Sequence, residues 1–169
     1  MSSMIRPIPH NMQEELDLLA VLLYHTPIRM GETFQKLRGE QFYSEAFGIV
    51  YDAMRALWEA DKDIDLITVT DALRRSEKLE YCGGAGFLVE LEDRNRADST
   101  PMLVAENRIL LSWGVRRMIR FGKALTELGY EGGEETDHDD RIRLYLEAGV
   151  TNMRVAEELF SALLKVTKK

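Results

Sequence analysis

The chain has 169 residues, 45% hydrophobic and 30% charged, a balance that suits a soluble globular protein with one packed domain or one domain plus an extension. A net charge of −7 argues against a dedicated nucleic-acid binder, whose footprint is a basic surface. One cysteine, Cys82, excludes an internal disulfide and fits a cytoplasmic location; no apolar run nears the roughly 20 residues of a membrane helix, and no export signal opens the chain.

In chain order the pattern is that of an all-α protein. Ile5 to Pro9 reads as an extended arm. Asn11 is a candidate N-cap, with Glu14 placed to complete a capping box. Leu16, Leu19 and Leu23 share one helical face, widened by Leu18 and Leu22. Thr26-Pro27 reads as the cap and first turn of a short second helix carrying Ile28, Phe34 and Leu37, which Gly39 interrupts. Ser44 is a candidate cap for a third helix, where Phe47, Val50, Tyr51, Met54, Leu57 and Trp58 recur at spacings of three and four. Asp61-Lys62-Asp63 breaks that pattern. Ile64 to Leu66 reads as a short extended lead-in, and Thr68 with Asp71 as a capping box for a fourth helix.

Tyr81 to Gly84 reads as a turn, followed by a short buried helix with Phe87, Leu88 and Leu91. Asp93 to Thr100 is a polar loop, and Pro101 suits the first turn of a long helix to about Leu128. From Leu111 through Val115, Met118, Gly122 and Leu125 its apolar stripe is spaced four, three, four, three, the spacing of a coiled-coil seam. Gly129 to Asp140 is acidic and glycine-rich and reads as a turn or linker. A short helical piece from Arg141 ends at Gly149, and a last helix carries Val155, Leu159, Ala162 and Val166. Two seamed helices around a connection predict an antiparallel hairpin.

No residue set calls for catalysis. ATP hydrolysis needs a Gly-x-x-x-x-Gly-Lys-Ser/Thr phosphate loop; Gly122-Lys123 lies inside a helix and is followed by Ala124, and Gly83-Gly84-Ala85-Gly86 has no lysine. His10, His25 and His138 have no second His or Cys at ligand spacing, so no metal or cofactor is expected. Cys82 lacks a neighbouring base and reads as a small buried residue. Arg108, Arg116, Arg117, Arg120 and Lys123 make the long helix basic. Weak, salt-sensitive contact with DNA is one reading, and a solvated face paired with acidic partners is the plainer one. The seam residues either pack on the chain's own second arm or meet another copy. Gly114 and Gly122, unfavourable inside a helix by about 1 kcal/mol each, suit close helix approach or are merely tolerated.

Together, Pro9-His10-Asn11-Met12-Gln13-Glu14-Glu15, Phe42-Tyr43, Val50-Tyr51, Ile64-Asp65-Leu66-Ile67-Thr68 and Gly83-Gly84 before Phe87-Leu88 and Leu91 resemble the N-terminal domain of bacterial DnaB-family replicative helicases. Leu19-Ala20 stands where the family has Leu-Gly, and Phe47 where a histidine is common. Arg116-Arg117 in the long helix and Ala156-Glu157-Glu158-Leu159-Phe160 resemble the two arms of the family's helical hairpin, so about Ile5 to Leu164 is covered.

The resemblance implies a helical head over 1–100 and a hairpin arm over 101–169 that associates with further copies of the chain. Candidate interface residues are Leu110, Leu111, Val115, Met118, Phe121, Leu125, Leu128, Leu159 and Leu163. It implies dimers building a hexameric collar, docking of primase and a helicase loader, no enzymatic activity of its own, and a motor domain after the second arm. An excised domain, a free-standing motor-less regulator or inhibitor, and a DNA-binding initiation factor stay open as alternatives.

Overall fold

In a computed structural model, the described residues are 8–24, 30–94 and 102–131, with positions 143, 146, 147, 149, 150 and 154. They form six α-helices, α1 (Met12–Tyr24), α2 (Met30–Lys36), α3 (Glu45–Glu59), α4 (Leu66–Arg75), α5 (Gly84–Arg94) and α6 (Met102–Glu131), and no strand occurs among them. A 3-10 turn, Gly39–Gln41, joins α2 to α3. The chain divides into two compact units, His10–Leu110 on one side and Met1–Pro9 with Leu111–Lys169 on the other.

The His10–Leu110 unit is built on α1 and α3. Leu18, Leu19 and Leu22 of α1 are fully buried, as are Val50, Tyr51 and Met54 of α3. Val69 and Leu73 of α4, Leu88 and Leu91 of α5, and Ala105 and Ile109 of α6 complete one continuous core. Phe34, Phe42 and Tyr51 form its aromatic centre, with ring centroids 5.0 to 5.4 Å apart. Tyr51 donates from its buried hydroxyl to the Thr33 carbonyl at 3.0 Å, which satisfies the polar tip that an apolar core would otherwise strand.

Local chemistry accounts for most boundaries. Ser44 caps α3, its hydroxyl accepting from the Phe47 N–H at 3.4 Å. The Asn11 side chain accepts from the Glu14 N–H, also at 3.4 Å, so Asn11 starts α1 as its residue type predicts. The return half of that capping box is absent, because the Glu14 carboxylate turns to Arg108 instead.

At α4 the cap is Asp65, not Thr68. Asp65 accepts from the Thr68 N–H at 2.8 Å while Thr68 Oγ1 accepts from the Asp65 N–H at 3.0 Å, a reciprocal box one turn earlier than the sequence reading placed it. Asp71 pairs with Arg74 along the exposed face. Arg38 donates from its guanidinium to the Phe34 and Leu37 carbonyls, closing the C-terminal end of α2. Gly83 and Gly84 take φ values of +92° and +71°, the left-handed conformation that turns the chain into α5.

The long helix continues through Gly129 and Tyr130 to Glu131, three residues past the expected stop at Leu128. Gly129 is helical and so does not serve as a left-handed terminator. Positions 143, 146, 147, 149, 150 and 154 are helical, so Gly149 does not end the piece it was expected to end. Thr26-Pro27, His25, His138 and the seam of Val155, Leu159, Ala162 and Val166 lie outside the described residues.

Candidate functional site

Cys82 and His10, which could carry chemistry, are packed against other parts of the structure. Cys82 is buried, its Sγ lies 3.5 Å from the Ala46 carbonyl, and burial pushes its thiol above the ordinary value, away from a nucleophilic thiolate. His10 stacks on the Tyr43 ring with centroids 4.2 Å apart. No group of three or more His, Cys, Asp or Glu that could hold a metal occurs among the described residues. No described helix is long and apolar enough to cross a membrane.

Buried charge gathers instead on one end of α1. Glu15 accepts the backbone N–H groups of Tyr43 at 2.6 Å and Ser44 at 3.2 Å, tying α1 to the start of α3. Asp17 accepts from Arg94 of α5 at 2.8 Å and from Gln13 at 3.3 Å. Glu14 accepts from Arg108 of α6. Glu14 and Glu15 lie in the first turn of α1, where the helix dipole favours negative charge. Glu106 of α6 is also a buried carboxylate; it accepts from the Thr33 hydroxyl and lies 3.8 Å from Lys36 Nζ. These contacts orient elements.

The basic residues of α6 do not form one free row. Arg108 is committed to Glu14. Arg116 is buried and donates to the Pro9 carbonyl at 3.2 Å. Arg117 lies over the Trp113 ring, 4.9 Å from its centroid. Arg120 and Lys123 are exposed.

The apolar candidates of α6 separate by position. Leu110 is half-buried and packs against the core of the His10–Leu110 unit. In the other unit Leu111 is 41% exposed, Val115 half-buried and Met118 55% exposed. Ile119, which the four-three seam passed over, is exposed as well. Phe121 is half-buried; its ring covers Gly149 so closely that a Cβ there would lie 3.0 Å from Phe121 Cζ. Leu125 and Leu128 are in the helix, their side chains outside the described residues together with Leu159 and Leu163. A Cβ at Gly122 would meet nothing within 4 Å, whereas Gly114 is buried.

Residues 7–105 match the family model described as the DnaB-like helicase N terminal domain. The chain belongs to this family. The match takes in the opening Pro9-His10-Asn11 segment, the Asp65 cap and the Gly83-Gly84 turn, and it ends inside the first turn of α6. The chain is also similar to the replicative DNA helicase DnaB of Leifsonia xyli, 31% identical over 137 residues that cover 78% of this chain and 29% of that protein. The DnaB of Geobacillus stearothermophilus is 29% identical over 133 residues, covering 76% and 28%. The replicative DNA helicase DnaC of Bacillus subtilis is 28% identical over 158 residues, covering 88% and 31%. The chain thus spans about 30% of the length of these curated relatives. The crystal structure of the N-terminal domain of DnaB helicase from Mycobacterium tuberculosis shares the all-α fold with a TM-score of 0.70 and 24% identity. It covers 83% of this chain and 99% of that one.

Proposed function

We propose that this chain is a non-catalytic scaffold domain of a replicative DNA helicase, acting in the cytoplasm. Residues 1–100 serve as the head. Residues 101–169 serve as the arm through which copies associate, as dimers that build a hexameric collar, and the collar docks primase and a helicase loader. DNA contact is weak or indirect, since Arg108, Arg116 and Arg117 are engaged within the chain.

The observation that carries this reading is the pair Leu111 and Met118. They stand two helical turns apart on one face of α6, both exposed, with half-buried Val115 between them. Side chains of that size left open at seam spacing gain by burial against a partner, each on the order of 1–2 kcal/mol.

Light scattering on the purified chain tests it. Wild type is expected to run as a dimer or larger, and the Leu111→Glu/Met118→Glu variant as a monomer of unchanged helicity. The same mass for both sinks the interface. ATP hydrolysis above background, or sub-micromolar DNA binding that survives high salt, overturns the scaffold assignment.

A further inference from the structure

A second surface, independent of the α6 arm, lies between α3 and α4. Ala53 and Ala56 of α3 and Ala60 at its C-cap recur at spacings of three and four and form one wall of a groove of about 470 Å³. Ala72 stands on the α4 side, and buried Leu57 and Leu73 close the floor. Small side chains on the wall let a third backbone approach closely, and a volume of this size accommodates the anchor side chains of one helix.

The rim is positively charged. Lys62, Arg75 and Lys78 all line the groove and all are exposed. Among the described residues none of the three is in an ion pair; Lys78 makes a 6.0 Å contact with the Tyr81 ring. The single carboxylate in the lining, Asp52, is already engaged, accepting from the Gly39 N–H at 3.1 Å and facing Arg55 at 3.5 Å. Asp61, Asp63 and Glu77 flank the rim without lining it. An apolar floor beneath three cations that make no ion pair among the described residues favours, by local charge complementarity, an acidic partner.

We propose that the α3–α4 groove docks an acidic amphipathic helix of another protein, its leucine-type side chains on the alanine wall and its carboxylates on Lys62, Arg75 and Lys78. Helix-in-groove recognition places apolar anchors at i, i+3 and i+7, which matches the run of the wall. A nucleic acid fits less well, because the apolar floor would face phosphates.

The test uses a synthetic helical peptide of about 14 residues with leucines at i, i+3, i+7 and i+10 and glutamates elsewhere, titrated into the isotope-labelled full chain. Amide shifts are expected at Ala53, Ala56 and Ala72, with saturation weakened by salt. The Lys62→Glu/Arg75→Glu/Lys78→Glu variant is expected to bind about tenfold more weakly. Ala56→Trp, which fills the exposed groove, should abolish binding while the spectrum of the remainder stays native. A lysine-for-glutamate peptide should not bind, and Leu111→Glu should not alter binding. Absent shifts, shifts centred on another face, or equal binding of the lysine peptide overturn the proposal. So does a short single-stranded DNA that moves the same amides more strongly.

Discussion

Arg108 of α6 donates to the carboxylate of Glu14 in the first turn of α1, joining residues 94 positions apart. The Glu14 side chain is only 4% exposed, and its Oε2 has no hydrogen-bond partner among the described residues; Arg108 is 58% exposed. Water screens one side of the pair, but the buried carboxylate has few alternatives once the guanidinium is gone. Arg108→Ala is expected to lower stability by about 1–3 kcal/mol, below the range for a wholly buried pair. Glu14→Gln, which removes the unpaired charge with the pair, should lower it by less. A urea-denaturation double-mutant cycle reads the coupling. Additive losses within about 0.3 kcal/mol would mean that the pair does not hold α6 to α1.

The two carboxylates of α4 should behave differently. Asp65 serves a backbone N–H that no other group satisfies, so Asp65→Ala is expected to cost about 1 kcal/mol. Asp71 makes an exposed ion pair with Arg74, and Asp71→Ala should cost under about 0.5 kcal/mol. Thermal unfolding of the two variants side by side checks the order. A larger loss at Asp71 would restore the cap to Thr68.

Gly48 and Gly122 are both helical but predict opposite signs. Alanine gains about 1 kcal/mol over glycine in a helix interior. At Gly48 a Cβ would overlap the backbone carbonyl of Gly39, where the turn after α2 crosses α3. Overpacking of that kind costs about 1–3 kcal/mol and outweighs the gain, so Gly48→Ala is expected to lower the melting temperature. At Gly122 an added Cβ would meet no other part of the structure within 4 Å, and Gly122→Ala should raise stability by about 0.5–1 kcal/mol, measured at a concentration too low for self-association.

Alkaline pH should destabilise the domain through Tyr51. Burial, followed by the nearby Glu106 carboxylate, raises its hydroxyl well above its ordinary value of 10.0. A group raised in the folded state holds its proton longer there than in the unfolded chain. Its stabilising contribution is therefore full below pH 10 and is lost as pH rises from there towards the folded value. Cys82, raised by burial from 9.0, acts in the same direction from about one pH unit lower. Urea midpoints should fall between pH 9 and 11, and Tyr51→Phe should flatten the fall while losing about 1 kcal/mol at neutral pH through the missing hydrogen bond to Thr33. An equal slope in wild type and variant would remove Tyr51 as the cause.

Much of the fold was legible along the chain because it depends on neighbours a turn away. The Ser44 cap, the apolar face of α3 and the double-glycine turn before Phe87, Leu88 and Leu91 all stand as the spacing predicts. The errors fell where two local options compete. Asp65 and Thr68 are both good caps, and a one-turn shift decides which is used. Gly129 is a plausible stop, yet α6 runs past it, since a single glycine costs a 30-residue helix only about 1 kcal/mol.

Residue order was enough to reveal an all-α chain, together with the family that it resembles, because periodicity, caps and motif spacing are properties of short stretches. The partners of buried charge were another matter. Glu14 looked like half of a capping box and is half of an ion pair with α6; Glu106, which no local pattern singled out, is buried against Thr33. The α3–α4 groove was equally invisible, since Ala56 and Arg75 line one groove only after the helices pack. Such pairings join positions tens of residues apart, and packing chooses among many acceptable partners for each charge, a choice that no local pattern encodes.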